Sequence, residues 1–498
     1  MNKKTDPQSI YKMDDDSRRN FIKNLGFFLG AFSVSSVVRF ETMEKVSKKI
    51  FGSATAFAQG SADNCLNVII NLRGGAPFRE LISLSTDDQA DGNHADINIQ
   101  HALGDMVPFT VGAGAKLVMP NTSANILQDY QQTIQFCNTF RSTGHTDALD
   151  IAALAGGGTG NPLIWAAQQH GTSTTDNSFA FYDGPSTAEM GSLPPGKSAY
   201  HPSFYRSIDD LTSKFSKLTL NTAIDNTFTD AERDGLFGLI QQKFTQDVDR
   251  AIKTTANKDV TVGSNSKAME SLKVDYSQLL DPNVANPIID SLRSNLPTRP
   301  SRVRGVIPVD AFYAFAQAAQ AGITNNTTLF GLNARDWHKD NSRRGEDTNA
   351  DQITTMEYMA QTIRNILDQG GVFDNPQTGQ KFQIRIVCTS EFFRGNRFRG
   401  TDNPDGGKNG AVLFGSDASA FQGFNPGSFG GMVVDEEGLN PKDLYAVDAS
   451  GTLVEKNNGN WSRESLLRHV SRFMKLDLQA AGAPSATDDE EVKQVLGG

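Results

Sequence analysis

Short apolar runs alternate with stretches of helical period along this chain, and the alternation predicts an α/β fold. Leu66-Asn67-Val68-Ile69-Ile70-Asn71-Leu72 is an apolar run halted by Arg73-Gly74-Gly75, the pattern of a buried strand that ends in a tight turn. Phe382-Gln383-Ile384-Arg385-Ile386-Val387-Cys388 reads as a second strand that delivers Thr389-Ser390-Glu391 to its end, and Ala411 to Phe414 reads as a third. Ile353, Met356, Ala360, Ile363 and Leu367 line one face of a helix stopped by Gly370-Gly371. Ile126, Tyr130, Ile134 and Cys137 share a helical spacing within 123–140, and the Ala-rich segment 310–321 predicts a further helix.

Between about 205 and 325 the pattern is mostly helical. Thr229 and Glu232 have capping-box spacing, followed by an apolar face of Leu236, Ile240, Phe244, Val248 and Ala251. The Asn-Pro and Arg-Pro pairs from Asp281 to Pro308 predict an extended or turning connection. The polar residues from Ser83 to His101 predict a surface loop. These elements add up to a mainly parallel mixed sheet with helices on both faces. One domain covers 59–480, with a helical insertion at about 205–325 and a flexible acidic tail over 481–498.

The amino-terminal pattern is of another kind. Ser17-Arg18-Arg19-Asn20-Phe21-Ile22-Lys23 precedes an apolar stretch, Leu25 to Val38, that Gly26 and Gly30 keep only moderately hydrophobic. It falls short of the roughly 20 apolar residues a membrane span needs, so no stable transmembrane span is expected. Residues 1–58 match a twin-arginine signal segment, and Ala56-Phe57-Ala58 offers the small-x-small cleavage pattern before Gln59. The expected partner during export is the twin-arginine translocase, which carries folded chains, and the expected location is the periplasm or the exterior.

The 498-residue chain has a net charge of −10, and without residues 1–58 it holds 37 basic and 51 acidic residues, a net charge of −14. Such a surface repels phosphate backbones, so nucleic acid is not an expected partner. Cys65, Cys137 and Cys388 are too few for a disulfide framework and too widely spaced for a metal knuckle. The Gly-rich stretch from Ala155 to Gly160 lacks the Lys-Ser/Thr ending of a phosphate-binding loop.

Three polar clusters follow strands or helices. In Asp336-Trp337-His338 a carboxylate and an imidazole two residues apart can reach one cation. From Ser390 to Asn403, Arg394 can hold an oxyanion through its planar fork while Asp402 supplies a cation ligand. In Ser142-Thr143-Gly144-His145-Thr146-Asp147 a hydroxyl such as that of Thr143 can serve as nucleophile once His145 or a metal lowers its pKa.

Taken in order, these features resemble the domain-of-unknown-function family 1501, a twin-arginine-exported branch of the alkaline phosphatase and sulfatase superfamily. The features are the leader, the strand ending in Leu72-Arg73-Gly74-Gly75-Ala76, the turn from Arg141 to Asp147, Asp336-x-His338, Ser390-Glu391-Phe392 and Gly400-Thr401-Asp402. The resemblance implies an alkaline-phosphatase-like sheet with its site at the strand ends. It further implies divalent metal (zinc, manganese, calcium or magnesium) on Asp336, His338 and Asp402, an anionic ester substrate, and a pocket lined by His145 and its neighbouring hydroxyls. The chain departs from the family pattern at Ala76-Pro77, where an acidic residue is usual, and at Asp402-Asn403, where Asp-His is usual. Arg335-Asp336-Trp337-His338 also stands in place of Gly-Trp-Asp-x-His. Two functions are therefore expected alternatives: a metal-dependent hydrolase of phosphate or sulfate esters, or a non-catalytic exported binding or envelope-associated protein on the same fold.

Overall fold

The computed structural model describes residues 64–73, 83–84, 106–111, 115–141, 163, 166, 178–182, 202–215, 276–301, 303–334, 345–376, 378–390, 408–421, 445–447, 453–455 and 470–476, with helical positions at 235, 238–239, 241–243 and 245–246. The signal segment 1–58 and the tail 481–498 lie outside the described residues. The chain divides into two compact units, Met1–Ser61 with Lys217–Val274, and Ala62–Ser216 with Asp275–Gly498. In the first, the described positions between 235 and 246 are helical, and the Thr245 hydroxyl donates to the Gln241 carbonyl one turn earlier, 2.9 Å away.

In the second unit the elements follow in order. The first half of the unit holds β1 (Cys65–Arg73), β2 (Ser83–Leu84), β3 (Met106–Val111), β4 (Ala115–Pro120), α1 (Asn121–Leu127), a 3-10 turn (Gln128–Thr133), β5 (Ile134–Arg141), β6 (Phe179–Tyr182), β7 (Ser203–Tyr205) and α2 (Ile208–Phe215). Then come α3 (Ser277–Leu280), α4 (Pro287–Arg293), β8 (Val303–Arg304), α5 (Pro308–Gln320), β9 (Thr327–Ala334), α6 (Gly345–Leu367), β10 (Gln383–Thr389), β11 (Lys408–Gly415), β12 (Tyr445–Val447) and β13 (Leu453–Glu455).

The principal sheet has the order β5-β11-β10-β1-β9-β6-β7, with β8 pairing antiparallel at the end of β9. The contacts of β1 with β9 and β10, of β9 with β6 and of β6 with β7 are all parallel, and β11 is antiparallel to both β10 and β5. It is a mixed, mostly parallel sheet of an α/β fold. β2, β4 and β3 form a separate antiparallel sheet, and β12 and β13 a hairpin.

Because β1 is central, both its faces are covered, which is why it reads as a nearly continuous apolar run. Leu66, Val68, Ile70 and Leu72 enter one core with Phe330, Ile384, Ile386 and Cys388, beneath residues of α5 and α6 such as Phe312, Phe315, Met356 and Ile363. Ile69 enters the opposite core with Ala180, Leu329, Val387 and Leu413, covered by Val470 and Phe473 of a helical stretch at 470–473 and by Met474 just after it. Helical residues thus lie on both faces of the sheet.

The helix boundaries follow from capping. α5 opens on Pro308, where a missing N–H costs nothing. Its end is closed by the Ile323 and Gly322 N–H groups donating to the Ala318 and Ala319 carbonyls, with Gly322 at φ +70°. Gly371, at φ +81°, follows the end of α6. Among the described residues no helix is long and apolar enough to cross a membrane.

Two expectations are corrected. The helix expected over 123–140 stops early: α1 tightens into the 3-10 turn, and Ile134 turns extended at φ −120°, ψ 136° to begin β5. The residues Phe136, Cys137, Thr139 and Phe140 favour strands, and pairing with β11 outweighs the spacing of the apolar positions. The connection expected from Asp281 to Pro308 contains α4, because Asn286-Pro287 is a helix start. The Asn286 Oδ1 accepts from the Ile288 N–H at 2.8 Å, and Pro287 takes the first helical position.

Candidate functional site at the carboxyl edge of the sheet

In-register pairing sorts the second face of the sheet into three rows. Arg385, Asn67 and Thr327 form a polar row near the amino ends of the strands, and Val387, Ile69, Leu329 and Ala180 form an apolar row across the middle. Thr389, Asn71, Gly331 and Tyr182 form the row at the carboxyl ends.

The amino-end row has a structural explanation. The Asn67 Nδ2 donates to the Met474 carbonyl at 3.1 Å, and the Arg385 guanidinium carbon stands 5.9 Å from the centre of the Phe473 ring, so this row holds the helical stretch at 470–473 to the sheet. Nearby, the Ser178 hydroxyl donates to the Leu163 carbonyl at 2.8 Å and the Asn325 Oδ1 accepts from the Thr327 N–H at 2.9 Å.

The carboxyl-end row differs. Asn71 is fully buried, and neither its Nδ2 nor its Oδ1 has a hydrogen-bond partner among the described residues. Leaving a buried polar group unpaired costs about 1–3 kcal/mol. The fold tolerates this because each fully buried Leu, Ile or Val contributes roughly 1.5–3 kcal/mol, and β1 buries five, Leu66, Val68, Ile69, Ile70 and Leu72. Thr389 and Ser390 are buried beside this row, and the half-buried Tyr182 lies across the bare backbone of Gly331. In open α/β sheets ligands bind at this edge. Asn71 was missed as a candidate, although a carboxamide set between Ile70 and Leu72 in a strand buried on both faces is itself a signal.

Thr143, His145, Asp336, His338, Arg394 and Asp402 lie outside the described residues. The strands that precede them do not. Thr143 and His145 follow β5, which ends at Arg141; Asp336 and His338 follow β9, which ends at Ala334; Arg394 and Asp402 follow β10, which ends at Thr389. β9 and β10 run parallel to β1, and β5 points the same way because two antiparallel pairings separate it from β10. All three strands therefore end at one edge. At about 4.8 Å between strands, β9 and β10 end roughly 10 Å apart and β5 and β9 roughly 19 Å apart. Four extended residues reach about 13–14 Å, so connections this short have the span to meet.

Around the site, burial pushes the Cys388 thiol up, and it faces the first core, away from the Asn71 row. At the opposite, amino end of the strands, burial, then the hydrogen bond to Asp368, pushes the Tyr130 hydroxyl up. No protein-family model matches the chain, and neither a curated protein nor a solved structure matches it.

Proposed function

We propose that the chain is a divergent member of the domain-of-unknown-function family 1501, exported folded by the twin-arginine route to the periplasm or beyond. There it acts as a metal-dependent hydrolase of phosphate or sulfate esters at the carboxyl edge of its sheet. The observation that carries this reading is the shared direction of β5, β9 and β10, which end at one edge just before the three polar clusters.

Two carboxylates and an imidazole, from Asp336, Asp402 and His338, suit zinc or manganese by donor chemistry. When bound, such an ion polarises the ester and lowers the pKa of an oxygen nucleophile. The chain's own residues do the rest. Arg394 holds the non-bridging oxygens through its fork, and His145 takes the proton from the hydroxyl of Thr143 as it attacks. The P–O or S–O bond to the alcohol breaks, His145 passes the proton to the departing oxygen, and a water that His145 then deprotonates releases phosphate or sulfate from Thr143. The buried row of Asn71 and Thr389 forms the floor of the site and leaves water to enter only from the open side.

The test is hydrolysis of p-nitrophenyl phosphate and p-nitrophenyl sulfate by the purified exported protein, alongside metal analysis. Stoichiometric divalent metal, and turnover lost together with that metal in Asp336→Ala and His338→Ala, are the expected results. Turnover that persists in those variants rejects the ligand assignment. Metal-free protein without turnover leaves the second reading, a binding or envelope protein, which the non-acidic Ala76-Pro77 and Asn403 favour.

A further inference from the structure

Resting on the reading of the carboxyl edge as an anionic-ester site, we propose that the Asn71 carboxamide receives a phosphate group in protonated form, so that the site takes phosphate in preference to sulfate. A carboxamide is two-sided: Nδ2 only donates and Oδ1 only accepts. Both sides of Asn71 are buried and neither has a partner among the described residues. The equivalent carboxamide at the other end of the strand, Asn67, donates from Nδ2 to the Met474 carbonyl and leaves only its Oδ1 without a partner among the described residues, whereas Asn71 leaves both atoms so. Asn71 is thus a prepared recognition group that the fold itself does not use.

A ligand that completes it must present an acceptor and a donor side by side. Hydrogenphosphate does so with a P–O⁻ oxygen and a P–OH proton. Sulfate at neutral pH offers four acceptors and no proton, and would set an oxygen lone pair against Oδ1. Thr389 stands in register with Asn71 on β10 and brings a hydroxyl to the same row. Gly331, in register on β9, brings no side chain, and the Tyr182 ring closes over it. The four residues of the row carry no charge, and Asn71 and Thr389 are buried, so one unmatched lone pair against the carboxamide discriminates strongly. An unpaired buried acceptor corresponds to a preference of roughly tenfold or more.

Titration calorimetry of the full-length protein with inorganic phosphate and with inorganic sulfate at neutral pH tests this. Phosphate should bind at least about tenfold more tightly, and Asn71→Leu, which keeps the volume and removes the amide, should bring the ratio of the two affinities close to one. Should Asn71→Leu fail to fold, Asn71→Ser removes the same amide with less disturbance and carries the same expectation. Equal affinities in the unaltered protein, or a preference that survives removal of the amide, would overturn the inference and leave the proposed hydrolase standing. Binding of neither ion would overturn both.

Discussion

The ring of Tyr182 rests on the backbone of Gly331, so closely that a Cβ at position 331 would overlap the ring's Cδ2 and Cε2 atoms. The two residues are in register on neighbouring parallel strands, which leaves the ring little freedom to withdraw. Gly331→Ala should destabilise the protein by about 1–3 kcal/mol, the usual range for overpacking. Adding Tyr182→Ala should restore part of the loss, and a double-mutant cycle by chemical denaturation measures the coupling. Additive effects would show that the ring does not press on this glycine.

The Cys388 thiol is raised by complete burial. Its folded pKa exceeds the unfolded value of about 8.5, so the native state holds the proton more tightly, and the associated stability is present below pH 8.5 and lost as pH rises above it. The slope reaches at most about 1.4 kcal/mol per pH unit. Melting temperatures from pH 7.5 to 10 should fall above pH 8.5, and Cys388→Ala should flatten that fall while lowering stability throughout. An unchanged slope in the variant would assign the effect elsewhere.

Arg293 Nε donates to Asp310 Oδ1 at 2.9 Å, joining α4 to the first turn of α5. The carboxylate is 8% exposed and the guanidinium 41%. Arg293→Ala leaves the acid buried without its partner, and the cost should be about 1–2 kcal/mol, below the range for a fully buried pair because Arg293 remains partly in water. Arg293→Ala with Asp310→Asn should recover most of it in urea melts.

Asn286 caps α4 and also donates from Nδ2 to the Tyr313 hydroxyl at 3.2 Å. Asn286→Ala should cost about 1 kcal/mol, and Asn286→Ser, which keeps a capping oxygen, distinctly less. Equal losses in the two variants would place the effect in the Tyr313 contact.

What the chain reveals unaided follows from where its apolar residues are uninterrupted. β1 and β10 were legible because a strand covered on both faces has no polar side to confuse the pattern. β5 was not, since Ile126, Tyr130 and Ile134 keep a four-residue spacing through α1 and the 3-10 turn, and only pairing with β11 settles Ile134 as a strand residue. Asn286-Pro287 misled in the opposite sense: the same pair that breaks a helix also starts one, and position alone decides. The edge at which β5, β9 and β10 end needs strand directions, which no local pattern carries. Asn71 was visible as a polar residue among apolar ones, but its missing partners are a property of the folded neighbourhood.

The first strand among the described residues is the middle strand of its sheet, and Asn67 reaches Thr327, 260 residues further along. A ribosome making this chain therefore releases the centre of the sheet long before either neighbour exists, and β1 waits for β9 on one edge and for β10, later still, on the other. Assembly is a late event that needs almost the whole polypeptide in one compartment. A translocase that accepts only finished molecules suits such an order of birth, and a pore that threads the chain from its front end would separate β1 from the strands that complete it.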